Sequence, residues 1–598
     1  MRLALLFLAL ASLVACDEGP ADPISRDCFG QPEGGLCVGA RYVECGPGGA
    51  FVRGRDCSKD GLVCDPDHGC RRCIPSAYSC DGNTLLRCDA EGKELTEIGD
   101  CGELQCSRGG CVDLCAEAEA RRSYFGCRYH PTVTMNSALD RGFAFALAIA
   151  NEELVPADVR VRRAGVEVAR VTVPPGGMET LELPWVLELK EPAGTTIAAG
   201  GTSTLVSDGA FELVSSVPVT VHQFNPLDYA RPCEGGRCHS YTNDASLLLP
   251  DHVLGDRYRV VSRPSFAVIE DGNPIQHSGF FTVVAVGDEP VDVEIVPAAP
   301  TAASEDGLVP ALEPGESFVV TLQPRDVLQV ASRPIEGFES FETCPGTVRR
   351  DTLWEWEAIY CDPGRALDLT GSEIRASGPV AVFSGHDCTF VPFDRWACDH
   401  LEEALFPLES WGKRAFAARP FVISSEPYRL RIVSGADGNL VSFTPPVHPE
   451  VELDAGDFVE IQTEEDVLVT GTDALLGVQF LVGQGFSGGR GDPSMALIPP
   501  IEQYRRRYSF LRVSNFEDGY VNVVAVGDAV VRLDGKVVST FTEHESGLRT
   551  ARVQIGPGFH EATSEGGTFG LSVYGYGAYT SYFLPAGLDV VPIFVIPP

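Results

Sequence analysis

Methionine and tryptophan are scarce in this chain, at four and five residues among 598, while 63 glycines and 43 prolines interrupt it throughout. That balance excludes a bundle of long helices and favours short strands joined by turns. Positive charge is also short: 46 Lys and Arg face 84 Asp and Glu, for a formal net charge of −38. No dense basic stripe offsets the acidity, so a surface that binds phosphate backbones is excluded and no nucleic-acid partner is expected. Beyond the first residues no apolar run reaches the ~18 to 20 residues of a spanning helix. What is plentiful is apolar content, 44%, enough for large cores, together with 21 cysteines. The length corresponds to about four domains.

The first sixteen residues read as a signal. Arg2 forms a short positive region, Leu3 to Leu10 an apolar one, and Leu13-Val14-Ala15-Cys16 a small-residue cleavage site that resembles a bacterial lipoprotein lipobox. The resemblance implies that 1–16 is removed or modified, that Cys16 is lipidated, and that the only membrane attachment is this lipid, at the bacterial outer membrane or cell surface. Residues 17–27, acidic and with two prolines, read as a spacer.

Setting Cys16 aside leaves twenty cysteines in a chain addressed outside the cytoplasm, where disulfides are the expectation. Within 28–115 they repeat. Cys28, Cys37, Cys45, Cys57, Cys64 and Cys70 are followed by Cys73, Cys80, Cys88, Cys101, Cys106 and Cys111, at offsets of 41 to 45 residues. Two six-cysteine modules in tandem result. Each is too small to bury much apolar surface, so bridges worth ~2 to 4 kcal/mol apiece are expected to hold it. Six cysteines allow 15 pairings, and spacing does not choose among them. Cys70-Arg-Arg-Cys73 has the CxxC spacing of metal and redox sites, but in the repeat frame it straddles a module boundary.

From about Ser123 onward apolar and polar residues alternate, broken every eight to twelve positions by Gly, Pro, Asn or Asp, as in Phe281-Thr-Val-Val-Ala-Val286 and Tyr428-Arg-Leu-Arg-Ile-Val433. This predicts an all-β fold. Brief helices are expected only at 114–122 and 399–404. Gly-containing turns at 174–177, 313–316, 454–457 and 556–559, each followed by a strand-like segment, divide the region into units at 124–232, 239–404, 405–493 and 494–598. Units of this size suit β-sandwiches in tandem, with a propeller-like ring as the alternative.

The segments Val219-Thr-Val-His-Gln-Phe-Asn-Pro226, Ser240-Tyr-Thr-Asn-Asp-Ala-Ser-Leu-Leu-Leu-Pro250, Gly385-His-Asp-Cys388 through Cys398-Asp-His-Leu401, Trp411-Gly-Lys413 and Gly491-Asp-Pro493 resemble the IgGFc-binding protein N-terminal domain family as found in bacterial surface lipoproteins. The resemblance runs through most of 124–590. It implies a β-rich extracellular binding region without enzymatic activity, and leaves the cysteine modules as a separate stalk.

Proximity pairs the remaining cysteines as loop staples: Cys233 with Cys238, Cys388 with Cys398, Cys344 with Cys361, and Cys115 with Cys127. A loop closed at its base loses less entropy on folding and on binding. Trp396, inside the 388–398 loop, with His386 and Arg395 nearby, is the candidate contact. His386, Asp387, Asp394, Asp399, His400, Glu402 and Glu403 form the densest set of titratable groups, but so acidic a chain produces such sets by chance and no HExxH, GxSxG or SxxK pattern is expected to accompany this one. Arg490-Gly-Asp492 reads as a Gly-rich turn before Pro493 rather than as an integrin tripeptide. No catalytic residue, metal site or cofactor is expected. The reading is a lipid-anchored surface protein that binds an extracellular protein or glycan through stapled loops on a β scaffold. Two rivals stand beside it: a structural envelope or matrix component without a discrete ligand, and a glycan-active hydrolase, which needs two close carboxylates in a cleft.

Overall fold

The computed structural model describes residues 27–596 apart from 29, 103, 193–199, 234–235, 271–272 and 354–355. The signal at 1–16, Cys16 and nearly all of the spacer lie outside the described residues. The chain divides into two compact units, with the division between Leu114 and Cys115.

In the first unit the two modules repeat in structure as they do in sequence. Each has a three-stranded antiparallel meander, Gly34–Val38, Arg41–Gly46 and Ala50–Asp56 in one and Tyr78–Asp81, Thr84–Cys88 and Leu95–Asp100 in the other, followed by a short hairpin. The bridges are Cys28–Cys45, Cys37–Cys64 and Cys57–Cys70, then Cys73–Cys88, Cys80–Cys106 and Cys101–Cys111. Both modules therefore join first to third, second to fifth and fourth to sixth cysteine. The core of the first module is little more than Leu36, Val43 and the Cys28–Cys45 bridge, which is why the cystines must hold it. Cys70 and Cys73 belong to different bridges, so their CxxC spacing marks a module boundary.

The second unit opens with the helix Leu114–Arg121, tied by Cys115–Cys127. All else is essentially β, built on one topology used four times. In the first repeat the long strand Glu212–Asn225 belongs to two sheets. Its first half pairs with Gly126–Tyr129 and Ala157–Arg163, and its second half pairs with Phe145–Asn151 and Asp244–Leu247. The third repeat does the same with Val467–Leu481, flanked by Gly412–Ala417 and Asn439–Thr444, then by Tyr428–Ser434 and Ser494–Ile498. In the second and fourth repeats the long strand is broken in two, Glu373–Ala376 with Val380–Phe390, and Gly558–Glu565 with Phe569–Gly577. Strands facing solvent on one side alternate, as Val291–Val296 does, while Phe145–Asn151 and Gly279–Ala285 are buried along their length.

A tyrosine ties three of these repeats together at the same corner. The hydroxyls of Tyr129, Tyr258 and Tyr508, each on a first strand, donate to Val219, Val380 and Phe569 carbonyls on the long strands.

The four last strands, Asp244–Leu247, Cys398–Ala404, Ser494–Ile498 and Thr580–Pro585, touch one another in cyclic order. The sandwiches thus form a closed ring rather than a string. At the seam Tyr124 N donates to Leu588 O at 3.3 Å and Val590 N to Arg122 O at 2.9 Å, joining the two ends of the unit.

Three sequence readings are corrected here. Residues 399–404 are strand, not helix, because pairing with Val380–Phe390 overrides the helix preference of Leu, Glu and Ala. Boundaries at 232/239 and at 493/494 leave Asp244–Leu247 and Ser494–Ile498 on the wrong side, since these short strands are known only by the long strands they pair with. Turns 174–177 and 454–457 are equivalent, but 313–316 precedes and 556–559 follows that position in the repeat.

Candidate functional site: an aromatic-walled cavity at the centre of the ring

The loops that lead from each long strand into each last strand converge at one end of the ring. They enclose a cavity of about 650 Å³ whose lining comes from all four repeats: Tyr241, His277, Trp396, Gln484, Asp492 and Tyr579 are its chief side chains. Trp396, Tyr241 and Tyr579 are 40%, 50% and 43% exposed. Both tyrosines hold left-handed backbone conformations, φ 56° and 60°, which bulky residues rarely adopt and which concentrate at functional positions.

Each loop is positioned by identifiable contacts. In the first repeat the hairpin Ala230–Cys233 and Gly236–His239 is closed by Cys233–Cys238, and a stack runs from His239 to Tyr241, 5.5 Å between centroids. In the second, Cys388–Cys398 closes the loop that carries Trp396, and the cystine itself lines the cavity. Behind Trp396 lies a separate sheet of Phe266–Glu270, Asn273–His277, Thr347–Leu353 and Trp356–Asp362, stapled by Cys344–Cys361. Its Arg349 guanidinium sits 4.2 Å from the Tyr360 ring centroid and 4.4 Å from that of Phe390, and donates to Phe393 O at 2.5 Å. Trp396 packs on the same two rings, with centroids 6.1 and 5.9 Å away.

Neighbouring loops latch to each other. Gly485 N donates to Trp396 O at 2.9 Å, Gly491 N to Gly577 O at 2.9 Å, and Tyr579 N to Gly489 O at 3.1 Å. Gly491 has φ +72°, and a Cβ there would meet the Tyr576 ring at 2.9 Å, so this turn requires glycine. It turns Asp492 inward, 1% exposed, so Arg490-Gly-Asp492 is not displayed as a tripeptide.

The predicted candidate contacts fare differently. Trp396 lines the cavity. Arg395 lies beside it, paired with Asp394 at 2.7 Å and over the Phe486 ring at 4.9 Å. His386 does not reach the cavity. Its ring is fully buried, with Nε2 3.0 Å from Pro264 O and Nδ1 accepting from Cys388 N at 3.2 Å, and burial drives its pKa down to about 3. It is a neutral brace under the cystine.

The dense titratable set also dissolves into separate roles. Asp387 accepts from Ser137 N at 2.6 Å and lies 2.9 Å from His277 Nδ1; burial alone would raise its pKa, but these bonds hold it well below the usual carboxylate range. Asp399, His400, Glu402 and Glu403 sit on a last strand inside the ring, all fully buried. Glu402 accepts from Gln223 at 2.6 Å, from Ser246 and Asn225, and from Thr134. Asp244, from the first repeat, accepts from Glu402 N and Met495 N at 3.1 Å and from Ser494 Oγ at 2.6 Å, so one carboxyl group ties three repeats together. Among the described residues, Asp399 Oδ2 and both oxygens of Glu403 have no hydrogen-bond partner. Burial, then the like charges of Asp492 and Asp244, raise Asp399 well above its ordinary pKa. The sequence reading took this set for a chance product of an acidic chain; their burial beside Asp244 is visible only once the ring closes.

Two short patterns common in serine enzymes also occur and are structural. In Gly485-Phe-Ser-Gly-Gly489 the Ser487 hydroxyl donates to the Arg490 carbonyl within its own turn. In Ser410-Trp-Gly-Lys413 the serine donates to Pro407 O at 2.7 Å and the lysine reaches away to Thr472 O. Among the described residues no group of three His, Cys, Asp or Glu has the arrangement of a metal site.

A profile of the IgGFc binding protein family matches residues 244–575, more than half of the chain. The chain belongs to the IgGFc-binding protein family. The match begins at the last strand of the first repeat and ends in the long strand of the fourth, so it takes in the second and third repeats whole. A human relative, IgGFc-binding protein, is 26% identical over 366 residues, which are 59% of this chain and 6% of the human protein. This IgGFc-binding family member therefore corresponds to a small part of that relative's length. The family is one of binding proteins, not a known enzyme family. Among the described residues no helix is long and apolar enough to cross a membrane.

Proposed function

We propose that this chain is a lipid-anchored bacterial cell-surface protein that captures an extracellular protein through the mouth of its β ring. The observation that carries the reading is the 650 Å³ cavity, walled by three half-exposed aromatic rings from three different repeats and framed by two cystine-closed loops. Aromatic anchors around a preformed concavity are where interface energy concentrates. The lipobox resemblance at Cys16 supplies the anchor. A protein ligand is favoured over a glycan by the relative's name, which describes binding to an antibody Fc region. A glycan hydrolase would need two carboxyl groups facing the bound sugar; Asp492 lines the cavity, whereas Asp399 is buried behind it.

The test is capture by the purified full chain, with human IgG Fc and solubilised extracellular matrix protein as separate probes, compared with a Trp396→Ala, Tyr241→Ala double variant. Saturable capture that the double variant loses supports the reading. Capture that survives the variant places recognition elsewhere, and no saturable capture of either probe favours the structural-component rival.

A further inference from the structure

We propose that the cavity receives a cationic side chain of the protein ligand, an alkylammonium or guanidinium group on an aliphatic stem, seated between the three aromatic rings and facing Asp492. The inference rests on the recognition reading above and names the chemistry that fills the site.

Four observations carry it. First, the walls are the faces and edges of Tyr241, Trp396 and Tyr579, with the two tyrosine rings 6.3 Å apart at 57°; rings converging on one space attract a cation through their quadrupoles. Second, the titratable groups of the lining are Asp492 and His277, and His277 is held to Asp387 at 2.9 Å; burial raises the Asp492 pKa well above its ordinary value, and an adjacent ligand cation would favour its charged form. Behind Asp492 lies Asp399, fully buried, with one oxygen lacking any partner. Buried carboxyl groups are either matched by a cation or kept neutral by a raised pKa, and the arginines adjacent in sequence are engaged elsewhere: Arg395 pairs with Asp394 and Arg490 with Asp518. A ligand cation in the cavity would therefore meet no competing protein cation at Asp492.

Third, the protein applies the same chemistry to itself next door, where Arg349 lies over Tyr360, Phe390 and Phe393, at 4.2, 4.4 and 5.5 Å from their centroids, against the back of Trp396. Fourth, the serine and threonine hydroxyls of the lining are committed inside their loop: Thr242 Oγ1 donates to Ser240 O and Ser240 Oγ to Asn243. The chain's net charge of −38 adds long-range attraction for a basic partner.

The experiment titrates the full chain with Nα-acetyl-lysine-N-methylamide, with its norleucine analogue, which keeps the stem and lacks the ammonium, and with a methyl glycoside, up to 100 mM at low salt, read by calorimetry and tryptophan emission. The lysine probe should saturate and bind at least tenfold more tightly than norleucine, and Asp492→Asn should remove at least tenfold of that preference while its circular dichroism melt stays that of the parent. The comparison of probes on the parent chain needs no variant to fold. Equal binding of lysine and norleucine probes, saturation by the glycoside alone, or no saturation by the lysine probe overturns the inference. Fc or matrix capture is measured in parallel with the lysine probe as competitor. If capture depends on Trp396 and Tyr241 yet the lysine probe neither binds nor competes, the cationic inference fails while the recognition reading stands; if capture ignores those rings, the recognition reading itself fails.

Discussion

Replacing Cys388 and Cys398 together by serine separates the role of a staple in binding from its role in folding. The bridge spans a sequence separation of 10 residues, for which the chain-entropy account gives about 3 kcal/mol of stabilisation. Other contacts hold the same loop. Gly483 N donates to Val391 O at 2.8 Å and Gly485 N to Trp396 O at 2.9 Å, each worth ~1 kcal/mol net. Arg349 clamps Phe390 and Phe393 with a further ~1 to 2 kcal/mol. Val380–Phe390 and Cys398–Ala404 remain paired without the cystine. A single cooperative melt is therefore expected, lowered by roughly 5 °C. Binding should suffer more, because the cystine lines the cavity and the freed loop must be ordered by the ligand. If the whole ~3 kcal/mol falls on binding, affinity drops by about a hundredfold. Differential scanning calorimetry and Fc or matrix capture on the same variant decide the matter. A collapsed melt would show that the bridge holds the ring together; unchanged melt and unchanged capture would show that the 388–398 loop is not the recognition site.

Other perturbations address the ring, its charge and its anchor. Asp244→Ala strips the acceptor from Glu402 N, Met495 N and Ser494 Oγ in a fully buried position, and should destabilise the ring by about 3 to 5 kcal/mol in denaturant titration, against near-neutral effects for exposed acids such as Asp394. Burial raises Glu152 from 4.5 to about 7, so the folded state holds its proton more tightly than the unfolded chain does. Its contribution is then full below about 4.5 and is lost as pH rises through about 7, at most ~3 kcal/mol, and Glu152→Gln should flatten that part of the stability profile. Peptide mapping of 28–111 should recover first–third, second–fifth and fourth–sixth bridges in both modules; different patterns in the two would contradict the structure. Cys16→Ser should abolish fatty-acid labelling of the expressed chain, and a variant that still labels would refute the lipobox reading.

The cysteine spacing, the alternation of apolar residues and the Gly/Pro punctuation are local properties, and for that reason the modular stalk and the all-β class were legible in the sequence. The repeat of the ring was legible only in fragments. Arg-Tyr recurs at 128–129, 257–258 and 507–508, marking the corner tyrosines, yet insertions of different length between strands hid the common topology. Trp396 could be singled out because a tryptophan between two cysteines is visible in sequence, whereas Tyr241 and Tyr579, which line the same cavity from 155 and 183 residues away, could not. The strand Cys398–Ala404 marks the limit most clearly. Asp-His-Leu-Glu-Glu-Ala has the composition of an exposed helix, and only the packing of the repeats on one another surrounds it with the amide and hydroxyl donors that let Glu402 be buried in a strand. Local chemistry decided which segments became strands and which loops were stapled; ring closure, which depends on contacts hundreds of residues apart, decided what those loops surround.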